Sequence, residues 1–132
     1  MREFIKTIEI DVPASQIWVV ISEVENWHTW TASITSIKLT NTPRLQLDSC
    51  VTIKQPKFPA AKWRVTDFES NKRFTWVCAS PGVVVTASHE ISASTTGRGN
   101  VVTLRLRFDG LISSALAHFN AEHQHALFDD GS

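Results

Sequence analysis

His89 is the side chain in this sequence whose type and setting could most readily do chemistry. It lies in a run that alternates between two faces: Val83, Val85, Ala87, His89 and Ile91 on one, Val84, Thr86, Ser88 and Glu90 on the other. An imidazole inside the more apolar row is expected to face the interior. There it would serve as a polar handle for a ligand carbonyl or hydroxyl, or as a general acid/base near neutral pH. The alternative is a buried histidine satisfied by a backbone carbonyl or a neighbouring side chain.

Other groups compete for a role. His123 falls within the stripe made by Ile112, Leu116, Phe119, Ala126 and Leu127 at about 100° per residue. It would point toward the sheet or a pocket mouth, or else sit in solvent at a fraying end. His118, Glu122 and His125 share an adjoining flank, a spacing that can hold a zinc-like ion. The pattern lacks His-Glu-x-x-His and reads as a solvated polar face, so no metal and no cofactor is expected. The five tryptophans are Trp18, Trp27, Trp30, Trp63 and Trp76. Trp63 alternates with Val65, and Trp76 with Phe74 and Cys78, so each could line a cavity suited to flat or apolar ligands. Trp27 and Trp30 are expected to plug the end of the sheet. Arg64, Arg105, Arg107, Lys62 and Thr103 alternate with apolar residues and should form a solvated outer face. No Ser, Thr or Cys stands in a nucleophile elbow. Gly97-Arg98-Gly99 is a hairpin turn rather than a phosphate loop.

The elements that position these groups follow from periodicity. Glu3 to Val12 alternates as a strand, and Pro13 suits a first helical turn. Ile17, Val20, Ile21 and Val24 recur on one helix face, and Glu25 to Trp30 forms a second short helical turn. From Ala32 the period becomes two, with strands at Ser33–Thr40, Asp48–Gln55, Lys62–Glu69, Arg73–Ala79, Gly82–Ile91 and Asn100–Phe108. The sequence has no glycine before Gly82, so Asn, Asp, Ser and Pro must make the early turns. Leu111 to Leu127 is helical by period. The order (strand, two helices, six strands, helix) is an α+β pattern with one antiparallel meander, whose concave face the last helix would fill.

Bulk properties narrow the class. The 132 residues suit one domain, able to bury roughly two-thirds of its unfolded surface. Thirteen basic residues balance thirteen acidic ones, which disfavours nucleic-acid or membrane-surface partners. Cys50 and Cys78 lack metal-like spacing and read as reduced core thiols. The N-terminal residues carry no long apolar region, so a cytoplasmic location is the expectation.

Several segments resemble landmarks of the START/birch-pollen-allergen (SRPBCC) superfamily and its polyketide cyclase/dehydrase-like branch. They are Val12-Pro13-Ala14-Ser15-Gln16-Ile17-Trp18, Asn26-Trp27-His28-Thr29-Trp30, Phe74-Thr75-Trp76, Ser80-Pro81-Gly82-Val83, His89-Glu90-Ile91, Val102-Thr103-Leu104 and Phe108-Asp109-Gly110-Leu111. They run in the expected order over nearly the whole chain. The resemblance implies a helix-grip fold: a curved seven-stranded antiparallel sheet, two short helices and a C-terminal helix over a pocket. Family members bind lipids, sterols, polyketides or other hydrophobic molecules. In that branch the final helix usually runs well past the point where this chain meets Phe128-Asp129-Asp130-Gly131-Ser132. A shorter helix leaves one pocket end open or asks a second subunit to cover it, hence a homodimer.

Three functions follow as expectations. The first is binding of a small hydrophobic or aromatic molecule by Trp63, Phe74, Trp76, Val85, His89, Leu104 and Leu106, with Phe119 and His123 from the final helix. The second is a cyclase/dehydrase-type reaction with His89 as acid/base. The third is a protein-interaction module.

Overall fold

In the computed structural model the described residues are 2–110. They form one seven-stranded antiparallel sheet: β1 (Arg2–Ile10), β2 (Ser36–Leu39), β3 (Cys50–Lys54), β4 (Ala61–Glu69), β5 (Arg73–Ser80), β6 (Val83–Ala93) and β7 (Asn100–Asp109). The spatial order is β1-β7-β6-β5-β4-β3-β2. A nine-residue helix, α1 (Ala14–Ser22), and a 3₁₀ helix (Val24–Thr29) fill the connection between β1 and β2. The expected helix over Leu111 to Leu127, with Phe119, His123 and the group His118, Glu122 and His125, lies outside the described residues.

Cross-strand register decides which side chains share a face, because residues directly opposite point the same way. One inward row runs Val65, Trp76, Ala87, Leu106, Phe4; the next runs Phe68, Phe74, His89, Leu104, Lys6. Phe68 would be out of phase with Trp63 and Val65. A register shift between Val65 and Asp67 turns it inward. The buried residues form one cluster in which Val51, Val65 and Phe74 are fully enclosed.

The helical segment departs from the simple stripe. Ile17 and Trp18 are buried and Ile21 half-buried, while Val20 is 53% exposed. Trp18 needs more area than Val20, and in a nine-residue helix it turns the buried face toward 14, 17, 18 and 21. Pro13 sits one position before the first turn, where its carbonyl accepts from the N–H groups of Gln16 (3.1 Å) and Ile17 (3.2 Å). Asp48, Lys57 and Asn71 take the left-handed conformation in glycine-free turns. Lys57 carries no turn signature of its own.

Arg64, Arg105, Arg107 and Lys62 are exposed on the convex face as expected, whereas Thr103, flanked by Thr7 and Glu90, is buried there. Cys78 faces the interior and Cys50 the convex side, half-buried, so only Cys78 is a core thiol and the sheet separates the two. Burial pushes the Cys78 thiol up in pKa, which keeps it inert.

Candidate functional site

The centre of the concave face is aromatic. His89 and Phe74 are paired across β5 and β6, and their rings stack at 4.3 Å and 12°. Trp76 meets His89 edge-on at 5.4 Å, and Trp27 stands 5.6 Å away. Trp63 extends the patch, 6.0 Å from Trp76. Trp27 arrives from the 3₁₀ helix. Its indole N–H donates to the carbonyls of Ile21 (3.1 Å) and Val20 (3.3 Å), which locks the ring and uses its only polar group.

His89 is half-buried as a residue, but its Nδ1 is fully enclosed and has no hydrogen-bond partner among the described residues. Desolvation in this apolar setting lowers the imidazole from 6.5 to about 4, opposed by the Phe74 backbone. The ring is therefore neutral at physiological pH. A buried, unpaired polar atom is unfavourable by about 1–3 kcal/mol.

Beside it is a gap of about 40 Å³ lined by Trp27, Ile34, Ile53, Gln55, Trp63, Trp76, Ala87, His89, Leu104 and Leu106. That is room for about one water, far below the usual size of an organic ligand site. Of the residues expected at the site, Trp63, Trp76, His89, Leu104 and Leu106 line this gap. Phe74 stands behind His89, and Val85 lies farther along β6, opposite Cys78 and Phe108.

Trp27 and Trp30 meet at 6.1 Å but differ in burial. Trp27 is buried against the cleft, while Trp30 is 41% exposed. Sequence reasoning passed over Gln55, Ile34, Ile53 and Ala87 as lining residues. Ile53 shares a strand period with Val51 and was detectable, whereas Ile34 lies in the irregular run before β2. Lys6 was also missed. The period of Phe4, Lys6, Ile8 and Ile10 puts this cation on the inner face opposite Leu104. Among the described residues no group of three or more His, Cys, Asp or Glu is placed to hold a metal ion. None of their helices is long and apolar enough to cross a membrane.

A curved antiparallel sheet of this order, with short helices between its first two strands, has the helix-grip architecture of the birch-pollen-allergen type. The likeness extends to solved structures. A major latex-like protein of Panax ginseng matches at a TM-score of 0.76 and 14% identity, covering 98% of this chain and 93% of that one. A Deinococcus radiodurans protein matches at 0.66 and 18%, covering 98% and 91%. The di-domain ARO/CYC BexL from the BE-7585A biosynthetic pathway matches at 0.70 and 15%, covering 98% of this chain and 46% of BexL. Residues 1–129 match the family of polyketide cyclase/dehydrase and lipid transport proteins, and the chain belongs to that family. No curated protein matches it.

Proposed function

We propose that the concave cleft binds a small hydrophobic or aromatic molecule, oriented by a hydrogen bond to His89. The observation that carries this reading is the enclosed, unpartnered Nδ1 of His89 inside a box of Phe74, Trp76 and Trp27. Apolar contact would supply most of the affinity, at roughly 25 cal/mol per Å² before the losses of association. The 40 Å³ gap requires that binding displace part of the lining, and half-buried Trp63 is the ring at its edge that would yield. Family membership and the ligand-binding architecture support the same reading.

Binding is favoured over proton transfer. A group held near pKa 4 is a weak base at neutral pH and is not the imidazolium that a general acid needs. Among the described residues no side-chain hydrogen bond joins His89 to a carboxylate.

The test is native mass spectrometry of protein purified from its own host, compared with the denatured sample. A co-purifying apolar molecule that is lost in His89→Leu supports the assignment. Retention of the same molecule by that variant returns His89 to a packing role.

A further inference from the structure

A larger cleft among the described residues lies elsewhere. An open cleft of about 550 Å³ lies between the α1–3₁₀ junction and the loop joining β2 to β3. It shares no lining residue with the gap beside His89. An aromatic wall separates the two: Trp18 packs edge-on against Phe68 at 5.5 Å and against Phe74 at 6.2 Å.

Both sides of this cleft are held in place. On the loop side, the buried Ser49 hydroxyl donates to the Arg44 carbonyl (3.3 Å), accepts from the Gln46 N–H (2.9 Å) and pairs with Thr42 (2.7 Å). Asn41 bridges the loop ends, accepting from the Cys50 N–H at 2.7 Å and donating to the Asp48 carbonyl at 3.1 Å. Across from it, Trp27 locks the helix junction, and a Glu25 carboxylate oxygen accepts from the Leu39 N–H at 3.0 Å, tying that junction to β2. A loop ordered this thoroughly at the surface gives a preformed wall rather than an adaptable one.

The floor is apolar, with Trp18, Phe68 and Leu45, and the rim carries both signs of charge, with Glu23 and Glu25 from the junction and Arg44 from the loop. Among the described residues neither Glu23 nor Arg44 makes an ion pair or a side-chain hydrogen bond, so the opposed charges do not neutralise one another. A volume of this size lies in the range of small-molecule sites.

We infer that this cleft is a second binding site, for a small zwitterion with an apolar body such as a hydrophobic amino acid. The ammonium meets Glu23 and Glu25, the carboxylate meets Arg44, and the side chain rests on Trp18 and Phe68.

The test is a titration of the ¹⁵N-labelled full chain with L-phenylalanine, followed by amide shifts. Saturable shifts are expected at Ser22–Asn26, Arg44 and Leu45, with Ala87–Glu90 unmoved. Phenethylamine and 3-phenylpropionate, each lacking one charge, should bind about tenfold more weakly. Glu23→Gln should weaken L-phenylalanine while leaving 3-phenylpropionate unchanged, and Arg44→Ala should weaken it while leaving phenethylamine unchanged. Both residues are exposed, so the variants should fold. Absence of shifts at the junction and loop up to the solubility limit, shifts confined to β6, or equal affinity for the three compounds would each overturn the inference.

Discussion

His89 lies directly across from Phe74, ring on ring at 4.3 Å, and this contact makes the histidine an apolar-site base rather than a surface one. The stack covers one face of the imidazole, and Trp27 and Trp76 close in around it. Its low pKa comes from removal from water, which outweighs the opposing pull of the Phe74 backbone, and the same burial leaves Nδ1 unsatisfied among the described residues.

Acid sensitivity should follow. The folded-state pKa is about 4 against 6.5 for the ordinary group, so the unfolded chain takes up the proton first as pH falls. This histidine's effect on stability is therefore most favourable above pH 6.5. It is lost between 6.5 and about 4, at no more than about 1.4 kcal/mol per pH unit. Urea unfolding at a series of pH values should show His89→Leu at least as stable as the parent at neutrality. The variant's advantage should grow toward pH 4, and parallel curves would refute the low pKa.

Ser49→Ala should destabilise by about 1–3 kcal/mol, a large effect for one loop hydroxyl. The substitution strips the Gln46 N–H and Thr42 of their shared partner at a fully buried position. Thermal unfolding measures the loss, and amide exchange should rise across Thr42–Asp48 while β6 and β7 keep their protection.

Gly99→Ala should lower stability by more than about 1 kcal/mol, through both conformation and contact. The residue has φ +79, and an added Cβ would stand 2.3 Å from the Ile10 carbonyl oxygen. Gly97, where the nearest atom is a side-chain oxygen at 3.4 Å, should accept alanine with little change. A chemical-denaturation comparison of the two variants separates these outcomes.

Trp63→Ala should widen the gap beside His89, since this half-buried ring forms part of its lining. An apolar dye should bind the variant more tightly than the parent at unchanged secondary structure. No gain in binding would mean that another side chain limits access.

Much of the sheet was legible because strand alternation is local. The two-residue period of Val83 to Ile91 and of Val102 to Phe108 announced their inner faces before any fold was known. Where the period breaks, legibility ends. The shift after Val65 turns Phe68 inward, and nothing in the order of residues 65–69 marks it. Val20 and Trp18 compete for one helix face, and the larger ring wins only because a core lies on that side.

What the sequence determined by itself, then, is the set of strands, their faces and the inward direction of His89, because these depend on neighbours along the chain. Tertiary structure decided what His89 meets. Phe74 and Trp76 come from the adjacent strand, and Trp27 comes from a helix sixty-two positions away in sequence. It also decided the cleft between Glu23 and Arg44, whose walls are separate segments tied by Ser49, Asn41, Trp27 and Glu25. Desolvation and cavity shape are sums over groups distant along the chain, and no local period encodes them.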